Sequence, residues 1–193
     1  MEGFQPFNFW KFLEKHRDQL KPPVGNKMIY NEGEFKVMVV GGPNTRTDYH
    51  WEVGPEWFFQ LQGDMCLKVA RDDPTTGEMR FEDVHIREGD MYMLPPRVYH
   101  SPQRSEGSVG LVIERDRRPD EEHDRLTWFC ELCKALIYQD TFHCTDLGKQ
   151  LKPVIEAYYG PDAGRRTCKK CGWVEQMNCF ETVSHLVFCL SVM

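Results

Sequence analysis

The sequence lacks what a membrane-spanning or nucleic-acid-binding protein needs. No apolar run approaches the roughly 20 residues that cross a bilayer. The opening stretch MEGFQPFNFWKFLEKHRDQL lacks the basic-then-apolar order of a secretory signal. Positive charge is in deficit, with Lys+Arg 24 against Asp+Glu 30 and a net charge of -6. No basic field therefore exists to neutralise phosphates, which argues against a nucleic-acid partner. Internal repeats and low-complexity tracts are missing too. What remains is 193 residues, 40% hydrophobic and 28% charged. That suits one globular domain, alone or with a small appendage, and a cytoplasmic location is expected.

Cysteine, by contrast, is plentiful, at eight residues. Cys130 and Cys133 form one C-x-x-C and Cys168 and Cys171 another, while Cys66, Cys144, Cys179 and Cys189 are scattered without an evident task. Without a secretory signal, paired C-x-x-C units read as a metal clamp rather than a disulfide framework. A thioredoxin-type redox pair is the alternative, but no βαβ pattern surrounds either unit. Four thiolates fill a tetrahedral site completely, so the expectation is a closed, structural site for iron or zinc. Gly172 follows the second unit as a knuckle turn requires, whereas Lys134 stands where the first would have its glycine.

The chain divides into a leading segment (1–34), a β region (35–118), a charged linker (119–125), a cysteine-bearing segment (126–172) and a tail (173–193). In the first, Phe9, Trp10, Phe12 and Leu13 fit one face of a short helix that Pro22-Pro23 ends. In the second, FKVMVVGG, EWFFQLQGDMCLKVA, MRFEDVHI, MYMLP and SVGLVIERD read as strands, with turns at Asp72–Gly77 and at REGD. Short antiparallel strands at this spacing predict an all-β fold, a sandwich or a jelly-roll barrel, with peripheral helices. The run ERDRRPDEEHDR, Glu114–Arg125, reads as a solvated connection. LGKQLKPVIEAYYG has room for one helix, and the tail ends in an apolar HLVFCLSVM too short to cross a membrane.

Two histidines stand in distinctive company. His50 is followed by Glu56 and Gly63, and Gly89 by Pro95 and His100. His50 and Glu56 share parity, so both point inward if the intervening WEVGP bends. Two imidazoles and one carboxylate make a facial triad, which leaves positions open on non-haem iron(II) for a chelating substrate and dioxygen. Trp57, Phe58, Phe59 and Leu61 around Glu56 are expected in the core. His16, His85, His123, His143 and His185 have no supporting context.

These two blocks resemble the two cupin motifs, with two departures: Asp48 replaces the first histidine of the H-x-H, and Arg97 replaces the inner glycine of the second motif. Three metal ligands rather than four are therefore expected. The stretches KPPVGN (21–26), VVGGPNTRTDYH (39–50), EWFFQLQGDM (56–65), LPPRVYHSPQR (94–104) and GLVIER (110–115) are similar to the 3-hydroxyanthranilate 3,4-dioxygenase family from about residue 5 to 172. The resemblance implies a bicupin-like or single-barrel iron enzyme that opens an aromatic ring with O2. The semialdehyde product then closes to quinolinate, a precursor of NAD. It also implies roles: His50, Glu56 and His100 as Fe(II) ligands, Arg46 at the oxygen site, Arg104 on the substrate carboxylate and Glu114 on the ring amine. Asn26 would line the pocket. Bacterial and fungal members carry a rubredoxin-like cysteine site that animal members lack, so the second metal is expected to fasten the C-terminal segment rather than to react. A homodimer is plausible from the family. Beside this reading stand a non-catalytic cupin that binds a metal or small molecule, and a cupin dioxygenase acting on another catechol-like ring.

Overall fold

A computed structural model describes residues 6–20, 25–44 and 46–176. The tail from 177 on, with Cys179, His185 and Cys189, and the expected helix terminator Pro22-Pro23 lie outside the described residues. The elements in chain order are α1 (Phe9–His16), β1 (Asn26–Glu32), β2 (Phe35–Gly41), β3 (Tyr49–Trp51), β4 (Glu56–Gln62), β5 (Met65–Asp72), β6 (Met79–Ile86), β7 (Met91–Leu94), β8 (Tyr99–Arg104), β9 (Val109–Arg115), β10 (Asp124–Phe129), β11 (Leu136–Phe142) and α2 (Leu147–Tyr158). The strands make a five-stranded sheet, β1-β2-β9-β4-β7, and a six-stranded sheet, β11-β10-β3-β8-β5-β6. All the pairings are antiparallel. Strands β2 to β5 and β6 to β10 alternate between the sheets, as in a jelly roll, while β1-β2, β5-β6 and β10-β11 pair within one sheet.

Period-two alternation decides which side chains enter the barrel. Along β4, Glu56, Phe58 and Gln60 are buried, while Trp57 and Phe59 are only half-buried on the opposite face. The aromatic group expected in the core thus splits: Phe58 joins the inner core with Met38, Leu67, Val112 and Leu126, and Leu61 packs on a second cluster beneath α1. Asn8 caps α1 by accepting from the Lys11 amide at 3.0 Å. Leu13 is the α1 side chain fully buried there, beside Leu20, Val39 and Val109, whereas Trp10 faces solvent.

Two boundaries differ from the sequence reading. β1 of the leading segment pairs with β2, and β10 and β11 of the C-terminal segment extend the six-stranded sheet beside β3. The barrel therefore runs beyond 35–118 at both ends. α2 forms where expected and is tied to β10 by Tyr158 stacked on Trp128, centroids 4.1 Å apart. The charged run is not uniformly solvated either: Arg117 is 7% exposed and Asp124 fully buried.

Candidate active site and metal centres

Register alone builds most of the site. On the inner face of the five-stranded sheet, three rungs cross β2, β9 and β4: Lys36–Glu114–Glu56, Met38–Val112–Phe58, and Val40–Gly110–Gln60. The first is charged, the second apolar and the third has a gap at Gly110. From the six-stranded sheet, His50 on β3 and His100 on β8 are direct cross-strand partners, their rings 5.3 Å apart. His50 and Glu56 thus meet from opposite sheets, the 52–55 turn carrying the chain across. One cavity is lined by Asn26, Met38, Arg46, His50, Glu56, Phe58, His100, Arg104 and Val112, and by Leu147 and Leu151 of α2. Glu114 lies behind Glu56, within the Glu52–Glu56–Glu114 carboxylate cluster whose oxygens lie within 4.8 Å.

The imidazoles are oriented from behind. His100 Nδ1 lies 3.1 Å from the Val98 carbonyl, which can only accept, so Nδ1 carries the hydrogen. Nε2 sits 2.8 Å from Glu56 Oε2, an oxygen with no aligned hydrogen-bond donor. A proton on Nε2 or a metal ion satisfies that contact, and an imidazole nitrogen facing a buried carboxylate oxygen is a donor pair that fits a metal ion. Burial favours the neutral His100 ring, but the Glu56 carboxylate outweighs it and raises the pKa. Burial likewise opposes ionisation of Glu56, but His100 lowers its pKa overall. His50 Nε2 donates to Asp124 Oδ2 at 2.8 Å, which leaves one ring nitrogen as a lone-pair donor. Burial pushes its pKa down. A neutral imidazole is the form that coordinates a metal.

The departures from the motifs now have physical reasons. Asp48, at the position of the missing histidine, is buried and grips Arg46 through a fork, with Nε to Oδ1 at 2.9 Å and Nη2 to Oδ2. Arg97 adopts φ 62 and Lys134 φ 58, so both take up the left-handed turn that glycine would fill without strain.

Arg104 is 7% exposed. Among the described residues its guanidinium has no carboxylate partner; Nη1 meets only the Gln60 amide oxygen, at 3.4 Å. Burial accordingly pulls its pKa down to about 10. The main chain fixes its place, since Asn44 accepts from the Arg104 amide at 2.9 Å and donates to the Pro102 carbonyl at 2.7 Å. Gly110 makes room for it, because a Cβ there would sit 2.9 Å from Arg104 Nη1. A buried guanidinium with no carboxylate in hydrogen-bond reach, its charge met only through space by Glu56, is built to receive an anion.

Glu114 is buried, with one oxygen accepting from Arg117 Nη1 and the other without a partner. Burial raises its pKa to about 7 against the pull of Arg117. Arg117, Asp124, Glu52 and Lys36 form an ionic layer beneath the site that the sequence reading did not find. Leu147 and Leu151, assigned there to a mere appendage, close the cavity.

The four paired cysteines converge. Cys130 and Cys171 sulfurs are 3.5 Å apart, as are those of Cys133 and Cys168; all four lie within 4.8 Å of one another. A tetrahedral ion with about 2.3 Å bonds asks for sulfur separations near about 3.8 Å, so the set fits iron or zinc. Both knuckles share one hydrogen-bond pattern. Lys134 donates its amide to the Cys130 carbonyl (2.9 Å) and Gly172 to that of Cys168 (2.9 Å), while Cys130 and Cys168 donate to Ala135 (2.8 Å) and Trp173 (2.7 Å). The Cys171 amide donates to Cys168 and lowers its pKa to about 6, favouring the coordinating thiolate.

Comparison with known proteins agrees with this geometry. A family model described as 3-hydroxyanthranilic acid dioxygenase matches residues 1–159. A 3-hydroxyanthranilate 3,4-dioxygenase of Podospora anserina is 50% identical over 170 residues, covering 88% of this chain and 89% of that one. Its counterpart from Xanthomonas campestris pv. campestris is 50% identical over 169 residues, covering 88% and 91%. One from Neurospora crassa is 47% identical over 167 residues, covering 86% and 88%.

Proposed function

The chain belongs to the 3-hydroxyanthranilic acid dioxygenase family, and from that premise we propose how its own residues carry out the family's reaction. It is a ring-cleaving dioxygenase: 3-hydroxyanthranilate takes up both atoms of O2 to give 2-amino-3-carboxymuconate semialdehyde. That product closes to quinolinate and feeds NAD synthesis. His50, Glu56 and His100 hold Fe(II). When bound, the metal supplies open positions that chelate the amino-phenol and activate dioxygen.

The single observation that carries the residue assignment is Arg104, a buried cation that, among the described residues, has no carboxylate in hydrogen-bond reach and lines the same cavity as Met38, Phe58 and Val112. The substrate's carboxylate matches its planar fork. Met38, Phe58 and Val112 take the ring, and the unpartnered oxygen of Glu114, the cross-strand neighbour of Glu56, accepts from the ring amine. Asn26 completes the wall. Arg46, aligned by Asp48, offers positive charge where dioxygen becomes reduced. Leu147 and Leu151 keep water from the ring.

Cys130, Cys133, Cys168 and Cys171 hold a structural iron or zinc ion, whose binding contributes to folding of the C-terminal segment. Reduced thiolates suit the cytoplasm. A homodimer belongs to the same proposal, supported by Met91 and Met93, 67% and 56% exposed on edge strand β7.

The ligand assignment is tested by His50→Ala. The folded variant should lose iron and activity together; retention of stoichiometric catalytic iron would refute it.

A further inference from the structure

We propose that Arg117 is the positioning residue of this site: one guanidinium sets both the carboxylate of Glu114 and, through Asp124, the ring of His50. The inference rests on the reading above, in which His50 binds the metal and Glu114 the substrate amine.

Arg117 lies in the connection between β9 and β10, held by no strand ladder of its own. Its side chain is 2% exposed and is surrounded by three buried carboxylates. The planar fork divides its donors between two targets. Nε and Nη2 donate to Asp124, at 3.1 Å to Oδ1 and 2.7 Å to Oδ2, while Nη1 donates to Glu114 Oε1. Nη2 also lies 2.8 Å from Glu52 Oε2. Asp124 Oδ2 is shared, for it accepts from His50 Nε2 at 2.8 Å as well. A rigid plane therefore links a metal-ligand imidazole to a substrate-binding carboxylate on the other sheet, and any tilt of it moves both. A lysine, a point charge on a flexible stem, cannot divide its donors this way. A plug that served packing alone would be met at least as well by apolar side chains.

The experiment uses the full-length enzyme with Arg117→Lys and Asp124→Asn, and with His50→Ala and Glu114→Ala as controls. Circular dichroism and melting temperature report folding; Fe(II) affinity is measured by anaerobic titration, and KM and kcat with 3-hydroxyanthranilate. Folded Arg117→Lys should bind Fe(II) about 10- to 100-fold more weakly and raise KM about tenfold or more, in the range seen when outer-shell partners of a metal site are changed. Asp124→Asn should weaken Fe(II) binding comparably with a smaller change in KM, which separates the two arms. Should Arg117→Lys fail to fold, Asp124→Asn decides: wild-type Fe(II) affinity in that folded variant overturns the proposal. A lowered melting temperature with wild-type affinity and KM in folded Arg117→Lys also overturns it, since a purely structural ion cluster behaves so. If the controls lose iron or substrate binding and neither positioning variant does, the inference alone fails. If the controls lose nothing, the underlying reading fails and takes the inference with it.

Discussion

Replacing Arg104 by methionine removes a cation that is 7% exposed and whose guanidinium meets only the Gln60 amide oxygen, at 3.4 Å. With substrate present, that guanidinium forks onto a carboxylate, and hydrogen bonds to a charged group contribute about 1.5–3 kcal/mol each. Losing such a pair, partly offset by water entering the space, should lower kcat/KM roughly 100- to 1,000-fold, at about 1.4 kcal/mol per decade. Most of this should appear in KM, since the carboxylate is not the reacting group. Two controls make the number specific. Iron content should stay at the wild-type level, because Arg104 touches no proposed ligand. Wild-type preference for 3-hydroxyanthranilate over 2-aminophenol, which lacks the carboxylate, should collapse toward unity in the variant. The fold should not suffer: burial pulls the Arg104 pKa down to about 10, the mark of a cation held at an energetic disadvantage, so the substrate-free variant should melt at or above the wild-type temperature. Steady-state kinetics with both substrates and a thermal melt decide the matter. An unchanged preference ratio, or a melting temperature lowered by several degrees with KM intact, would refute the carboxylate role.

Three further outcomes follow from individual positions. Gly110→Ala places a methyl group 2.9 Å from Arg104 Nη1 and 3.0 Å from Gln60 Oε1; displacing the guanidinium should raise KM about tenfold, roughly 1.4 kcal/mol, with kcat near wild type, and unchanged KM would contradict it. Lys134→Gly relieves a side chain held at φ 58 and should add about 1 kcal/mol of stability, read as a melt about 2–4 °C higher; a lower melt would contradict it. Burial raises the folded-state pKa of Glu114 to about 7 from the ordinary 4.5 of a glutamate, so the unfolded chain releases its proton first and stability falls as pH rises between those values. In metal-free protein the melting temperature of Glu114→Gln should gain on wild type across that window, and a gap that stays flat would contradict the assignment.

Much of this was legible in the sequence because the chemistry depends on local motifs. His50, Glu56 and His100 are marked by the turns beside them, and the strands that carry them alternate cleanly. Asp48 and Arg97 were visible as departures, but only the fold gives them reasons: a fork onto Arg46 and a left-handed turn. Arg117 and Asp124 were hidden in ERDRRPDEEHDR because a charge run has no period, and local sequence cannot distinguish a solvated carboxylate from one buried against a partner seven residues away. Leu147 and Leu151 escaped for a related reason. Their pattern announces an amphipathic helix, but which surface that helix covers depends on β10 and β11 joining the barrel sheet, a long-range pairing no spacing reveals.

The central claim is tested most directly by turnover. Protein loaded anaerobically with Fe(II) and mixed with 3-hydroxyanthranilate in air-saturated buffer should take up one O2 per substrate as the semialdehyde's absorbance rises, then decays to quinolinate. Fully loaded protein that consumes no oxygen and forms no semialdehyde would contradict the account.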